Sequence, residues 1–232
     1  KAGIALDEQK LGGTQIIKAT VFAYAGIENS VFVQDQIQKA VDSFQTPAGT
    51  QPLQELITTH NGKMVFKPGI VWPSIYHLRL LAFTQSWRTR ENLVKIAEGI
   101  RQFVNLSPIP YILLKYKSQL VAPASFCMLD FNPDMDSMDN VGWMMWFHRM
   151  EILARIGICH TIPELKNQIT RLQEILSNHQ GRFPIKLNHY YFRKWSPYSG
   201  LMLETDWKNS DRRIYDLTFR SLLIIHYFNK YL

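Results

Sequence analysis

Two stretches of this chain repeat one another. Residues 53–67 match residues 172–186 without a gap, and every matched pair is separated by the same 119 positions. Leu, Gln, Glu, His, Gly and Lys are identical at matched positions, and most other pairs are conservative. Each copy has the pattern of a helix end, then a glycine that can take a positive φ, then a short extended piece. Units of this kind bury their apolar faces by stacking, so the repeat favours an array of helical hairpins.

Apolar residues recur every three to four positions through most of the chain, which is the spacing of amphipathic helices. The pattern predicts helices at Ile16–Ala25, Val31–Phe44, Pro73–Gln85, Arg90–Phe103, Val141–Ile156, Pro163–Leu176 and Ile214–Tyr231. We therefore predict an all-α fold of stacked helical hairpins that form a partial or small α/α toroid. Residues 1–232 are expected to make a single domain with minor extended segments.

The composition is that of a globular protein, with 46% hydrophobic and 19% charged residues, which excludes a disordered chain. The longest apolar runs, such as Val141–Phe147, fall far short of the roughly 20 residues that cross a bilayer, so we expect no membrane span. Cys127 and Cys159 have neither CxxC spacing nor the numbers of a disulfide scaffold, and we expect buried, reduced thiols. No charged segment leads into an apolar signal region, which favours a cytoplasmic location.

The chain carries a formal charge of +7 and has a pI of about 9.4. A basic excess of this size favours acidic partners such as nucleic acid, acidic polysaccharide or phosphorylated ligands. The basic residues are scattered singly or in pairs, without the run of like charge that marks a polyanion-binding arm. An ordinary solvated basic surface is the alternative interpretation.

A degenerate form of a known repeat is present in the unit Arg171-x-x-x-Ile175-Leu176-x-x-His179-Gln180-Gly181-Arg182-Phe183. It resembles the Gln- and aromatic-containing repeat of the squalene cyclase and protein prenyltransferase superfamily. The Trp that ends that repeat is replaced by Phe183 here and by Met64 in the first copy, and the Gln is displaced. The resemblance implies an α/α toroid with a central apolar cavity. Because one fold hosts many functions, it does not by itself imply cyclase or transferase chemistry.

The densest group of carboxylates lies at Asp134, Asp136 and Asp139. Asp134-Met135-Asp136-Ser137 resembles the Asp-x-Asp-Asp motif of class II terpene cyclases, with Ser137 at the last position, and implies that Asp134 and Asp136 protonate an alkene. Two close carboxylates can share a proton, which is the chemistry that such a motif needs. A divalent cation bound by the three aspartates is a second interpretation. The third is structural, with Asp134 in a turn and Asp139 as a helix cap.

An apolar segment with adaptable side chains follows the carboxylates. Trp and Met side chains adapt to apolar or planar ligands, so this segment is a candidate ligand pocket. A helix that is apolar on all sides is also typical of a buried core element. The candidate ligand-binding residues are Trp143, Trp146, Phe147, His148, Arg149 and Met150.

A second candidate surface combines aromatic rings with cations. Rings can stack on bases or sugars while Arg and Lys meet phosphates or uronates. An ordered loop that closes one end of the helical array, with Trp195 and Trp207 as anchors, is the structural alternative. The candidate polyanion-binding residues are Tyr191, Arg193, Lys194, Trp195, Arg212 and Arg213.

Two histidines and one Cys-His pair complete the candidate sites. His60 and His179 occupy equivalent repeat positions, and their place before a glycine suits either a paired site or a helix end where imidazole bonds the last carbonyls. Cys159-His160 has no second pair at zinc-site spacing, so we expect no zinc site, and the cofactor is left unknown.

These patterns favour two functions. The first is a cavity protein that binds a small apolar or isoprenoid-like ligand, with cyclase-like or prenyltransferase-like chemistry in an active version. The second is a non-catalytic helical scaffold that binds a polyanion or a partner protein through a basic and aromatic face.

Overall fold

The computed structural model describes residues 14–49, 52–116, 119–122, 126–187, 203–204 and 206–231. The chain divides into two compact units, Lys1–Ser125 and Phe126–Leu232. The protein is mainly helical, as predicted, and its described residues also form two small antiparallel sheets. A helix is present at each of the seven predicted positions. The toroid and the single domain stay predictions.

The first unit contains helices and short strands. Its elements are α1 (Thr14–Tyr24), α2 (Val31–Asp42), α3 (Gln45–Ala48), α4 (Leu53–Leu56), β1 (Ile57–His60), β2 (Lys63–Phe66), α5 (Ile75–Ala82), α6 (Arg90–Leu106), β3 (Leu114–Tyr116) and β4 (Gln119–Val121). Strand β1 pairs with β2, and β3 pairs with β4. The second unit contains α7 (Asn140–Ile156), a 3₁₀ turn (Cys159–Thr161), α8 (Pro163–Asn178) and α9 (Ser210–Lys230).

Side-chain caps define where the helices of the first unit begin. The Ser30 hydroxyl accepts a hydrogen bond from the Val33 N–H at the start of α2. At the start of α5, Ser74 and His77 form a reciprocal cap, in which the Ser74 N–H donates to His77 Nδ1 at 2.9 Å. Such caps satisfy N–H groups that the first helical turn leaves without partners.

The two copies of the sequence repeat have different secondary structures. In the first copy, Ile57–His60 is a strand and turns through Asn61-Gly62 into β2. In the second copy, the matched residues continue α8 to Asn178, and no strand follows among the described residues. Both copies nevertheless hold two consecutive residues in the left-handed region, with φ 51° and 73° in the first copy and 57° and 78° in the second. The prediction of a glycine with positive φ is confirmed, whereas the helix end predicted at His60 is wrong.

The core of the second unit is built on α7. Trp143, Trp146 and Phe147 are at most 1% exposed and lie in ring contact with one another, and Phe183 packs on two of them. Helix α7 ends at Gly157, whose φ of 85° suits a residue without a side chain. None of the helices in the described ranges has the length and apolarity of a membrane span.

A charged network joins α7 to α9. The Glu151 carboxylate accepts hydrogen bonds from Arg155 at 3.1 and 3.2 Å and from Arg220 at 2.5 Å. Arg155 also donates to the Tyr227 hydroxyl at 2.6 Å and stacks on its ring. All three charged side chains are largely buried, so their pairing fixes the contact between the two helices.

Candidate functional site

The acidic segment before α7 is folded as turns and a cap. Asp134 Oδ1 accepts a hydrogen bond from the Asp136 N–H at 3.1 Å, as in an Asx turn. Asp139 Oδ1 accepts from the Gly142 N–H at 2.7 Å and caps α7. The structural interpretation of these aspartates is therefore the one that the geometry supports.

The same carboxylates are not brought together as a metal site. Across the described ranges, no three His, Cys, Asp or Glu side chains are grouped so that they could hold a metal ion. Asp136 instead pairs with Arg171 at 2.6 Å, and Asp139 is used by the helix cap. The interpretation of Asp134, Asp136 and Asp139 as a cation site therefore has no support from the described residues.

Proton donation to an alkene needs a carboxyl group that stays protonated, through burial or a second carboxylate. Asp134 and Asp136 are both exposed, and Asp136 forms an ion pair with Arg171 instead of lying against a second carboxylate in a buried site. The catalytic role of these two residues stays a prediction without geometric support.

The predicted ligand-binding residues of α7 are all buried in the second unit. Trp146 Nε1 donates to Gln168 Oε1 at 2.9 Å, and the Gln168 amide in turn donates to the Phe131 carbonyl. The rings of Trp143, Trp146 and Phe147 pack on one another, as core residues do. Their role toward a ligand stays a prediction.

Two polar side chains of α7 share this interior. The Arg149 guanidinium is 2% exposed, donates to the Cys127 carbonyl at 2.9 Å and lies 5.3 Å from the centre of the Phe131 ring. Burial lowers the pKa of Arg149 to about 10, although Cys127 and Asp130 act in the opposite direction. The side chain therefore remains a cation at neutral pH and holds the segment before α7. His148 lies edge-on to the Phe126 ring at 5.6 Å.

Cys127 and Cys159 are free and buried, as predicted. Burial raises the pKa of the Cys159 thiol. Because the thiolate is the nucleophilic form, Cys159 is poorly suited to nucleophilic chemistry.

The repeat histidines are not equivalent in the structure. His179 Nδ1 lies 2.8 Å from the Ile175 carbonyl at the end of α8, which confirms the helix-end interpretation for this copy. His60 ends strand β1 opposite Lys63.

Most of the predicted basic and aromatic surface, namely Tyr191, Arg193, Lys194 and Trp195, lies outside the described residues. Arg212 donates to Asp206 at 2.7 Å, so part of its charge is neutralised. The Arg213 Nε atom is buried and has no hydrogen-bond partner in the described part of the chain.

The predicted anchor Trp207 is buried and tied to α9. Its Nε1 donates to Asp216 Oδ2 at 2.7 Å, and the same oxygen accepts from the Leu203 and Glu204 N–H groups. Asp216 is 3% exposed, so this buried carboxylate holds Leu203, Glu204 and Trp207 against α9. Sequence reasoning did not identify Asp216, because a lone Asp on a helix has no pattern that distinguishes it.

An open cleft of about 400 Å³ lies where α8 ends and α9 begins. Among the described residues, its lining contains amide, cationic and apolar side chains and no carboxylate. The lining residues are Asn178, His179, Gln180, Arg182, Phe183, Pro184 and Ile214. Four of these residues, His179, Gln180, Arg182 and Phe183, belong to the degenerate repeat unit, but the sequence pattern did not predict a cleft there.

The end of α8 shapes the cleft. The Leu176 carbonyl accepts from the Gly181 N–H at 2.7 Å and from the His179 N–H at 3.1 Å. These contacts satisfy a carbonyl in the last turn of the helix, where such groups lack intrahelical partners. Arg182 follows the left-handed glycine directly, and the matched residue of the first repeat copy is also a cation, Lys63.

No protein-family model, curated protein or solved structure matches this chain. The resemblance to the squalene cyclase and prenyltransferase superfamily therefore stays a prediction.

Proposed function

We propose that this chain is a non-catalytic binding module whose second unit takes an acidic peptide segment of a partner protein in the cleft between α8 and α9. The observation that carries the proposal is the composition of the cleft, in which the described residues form an apolar floor and a basic edge without a carboxylate. This is the second of the two functions that the sequence favours, assigned to a specific place.

The edge of the cleft supplies the charge complementarity. Arg182 is exposed and lies beside the exposed amides of Asn178 and Gln180. A guanidinium can bind a carboxylate with two parallel hydrogen bonds, and the amides can donate to further acceptors. An acidic side chain or a terminal carboxylate therefore fits this edge.

The floor of the cleft favours a peptide over a nucleic acid. Phe183 is fully buried and presents no exposed ring for base stacking, while Pro184 and Ile214 add aliphatic surface. The volume of about 400 Å³ suits one or two side chains. Nucleic-acid affinity comes from contacts to many phosphates, and in the described part of the chain only Arg182 and His179 supply basic side chains to this cleft.

The test uses a fluorescein-labelled peptide that contains Glu residues around a central Leu, with binding followed by fluorescence anisotropy. At 50 mM salt we expect a Kd in the range of about 10–100 μM, which weakens several-fold at 200 mM salt because the contact is partly ionic. Arg182→Gln should weaken binding at least about five-fold, the loss expected for one charge-assisted contact.

Lys166→Gln is the matched control, because Lys166 is an exposed cation on α8 and its loss changes the net charge equally. The control should bind within about two-fold of the original protein, since a solvated charge away from the cleft contributes little. Equal losses in both variants would show attraction by net charge alone and would overturn the proposal. Tighter binding of a labelled single-stranded oligonucleotide than of the peptide would replace the acidic peptide by nucleic acid.

A further inference from the structure

One side chain of the cleft belongs to the residue type that changes its charge near neutral pH. His179 is exposed and is part of the lining, and imidazole is the side chain that ordinarily gains or loses a proton between about pH 5 and 8. The Arg182 N–H donates to the His179 carbonyl at 3.1 Å, so one turn after α8 carries both residues. The cleft therefore combines a permanent cation with a group that can become a second one.

The hydrogen bond at the end of α8 determines which ring nitrogen of His179 a ligand can meet. Nδ1 lies 2.8 Å from the Ile175 carbonyl oxygen. Because a carbonyl only accepts hydrogen bonds, Nδ1 carries a hydrogen, and Nε2 of the neutral ring is an acceptor. A carboxylate also only accepts and cannot bond to that nitrogen. Protonation turns Nε2 into a charged donor, which a carboxylate binds strongly.

We propose that His179, protonated at Nε2, is a second carboxylate-binding group of the cleft beside Arg182, so that the acidic peptide binds more tightly as the pH falls below neutrality. This inference rests on the proposed function of the cleft and adds a specificity-determining residue to it. The carboxylates of the peptide stay ionised in this range, because a free Glu side chain titrates near pH 4.3.

The position of His179 couples the proton to the peptide. The carboxyl end of a helix carries partial negative charge, which favours a positive imidazole at the end of α8. Arg182 opposes protonation of the ring before the peptide binds, and a bound carboxylate offsets this repulsion. Binding of the peptide and binding of the proton therefore favour each other, and by linkage each strengthens the other by the same factor.

The cleft lining contains no carboxylate among the described residues that would compete for the protonated ring. On α8 the last acidic residue is Glu174, which pairs with Arg171 at 3.1 Å. Helix α9 contributes the uncharged Ile214, and its charged residues at positions 211–213 lie outside the lining. Apart from Arg182, the side chains that share the lining with the imidazole are amides or apolar. The carboxylate that meets the protonated ring is therefore that of the peptide.

The first measurement is the anisotropy titration of the Glu-containing peptide at pH 8.0 and at pH 5.5, in 50 mM salt. The Kd should be about five-fold lower at pH 5.5, the gain expected from one exposed charge-assisted contact. His179→Gln should give the same Kd at both pH values, because an amide stays neutral. His179→Lys should bind tightly at both, because a Lys side chain keeps its charge in this range.

His226→Gln is the matched control, since His226 is an exposed histidine of α9 outside the cleft lining. It should keep the tightening at pH 5.5. Arg182→Gln reports on the proposed function itself. It should weaken binding at pH 8.0 and still bind more tightly at pH 5.5, because His179 is intact.

Calorimetry in two buffers of different ionisation enthalpy counts the protons that peptide binding takes up. A five-fold coupling between peptide and proton requires a maximum uptake of about 0.4 proton per peptide, at the pH where the affinity changes most steeply. His179→Gln should abolish this uptake, whereas His226→Gln should not change it. A loss of packing alone would leave the proton count as it is in the original protein.

The outcomes separate this inference from the proposed function. Binding that depends on Arg182 but has the same Kd at both pH values would overturn the inference alone, as would a pH dependence that survives His179→Gln. Absence of peptide binding at both pH values would overturn the proposed function and the inference together. Circular dichroism of each variant confirms that the fold is retained, as expected for substitutions at exposed positions.

Discussion

The Glu151 network offers the most direct test of how the second unit is held together. Its carboxylate lies between Arg155 on its own helix and Arg220 on α9. The three side chains are only 13–16% exposed. Glu151→Ala leaves two cations close together and largely out of water, without the anion that compensates them. Removing one partner of a buried ion pair costs about 3–5 kcal/mol, and the residual exposure reduces our expectation to about 2–3 kcal/mol.

The assay for Glu151→Ala is urea unfolding, combined with hydrogen exchange of peptides from α7 and α9. Glu174→Ala is the control, because Glu174 pairs with Arg171 at 3.1 Å while both side chains are about half exposed. An exposed ion pair contributes about 0–1 kcal/mol, so Glu174→Ala should leave the free energy of unfolding nearly unchanged.

A double substitution separates charge compensation from simple loss of packing. If the cost of Glu151→Ala arises from uncompensated cations, adding Arg220→Met should recover part of the lost stability, because it removes one of them. A Glu151→Ala loss no larger than that of Glu174→Ala, or a double variant that is additively worse, would refute this reasoning.

Three further predictions concern one helix cap and two glycines with positive φ. Burial lowers the pKa of His77 from 6.5 to about 4, and its neutral ring accepts the cap hydrogen bond, so the folded state binds this proton less readily than the unfolded state. The contribution of the neutral His77 ring to the free energy of unfolding is complete above pH 6.5. It is lost as the pH falls toward 4, by up to about 3 kcal/mol. We therefore expect His77→Gln to flatten the pH dependence of the unfolding free energy between these two pH values. Gly62→Ala should cost about 1 kcal/mol, because φ is 73° and a Cβ there meets open space. Gly157→Ala should lower the free energy of unfolding by at least about 1 kcal/mol more than Gly62→Ala, because its Cβ would lie 2.8 Å from the Tyr231 ring. Urea unfolding of both variants measures the difference.

The long helices could be read from the sequence because burial there follows the helical period. Helix α7 begins and ends within one residue of the predicted Val141–Ile156, since Asp139 caps it and Gly157 ends it. The sheet of β3 and β4 left no comparable signal, because three-residue strands are too short to show alternation.

The candidate site was much less predictable. The apolar pattern of α7 is the same for a ligand pocket and for a packed core, and the contacts of Trp143 and Trp146 distinguish the two only in three dimensions. The cleft depends on Ile214 lying beside Arg182, residues 32 positions apart with no shared motif.

The sequence repeat shows how far local similarity determines structure. Both copies keep the two left-handed residues, so the turn is determined locally by Asn-Gly or Gln-Gly. The residues before the turn differ, because β-branched Ile57-Thr58-Thr59 favours a strand where the second copy has Leu176-Ser177-Asn178. The residues after the turn differ as well. Val65 pairs with Thr58 in the hairpin, whereas its match in the second copy, Pro184, has no N–H to donate to a strand partner. The same turn therefore closes a hairpin in the first unit and ends a helix in the second, where it places Arg182 beside the cleft.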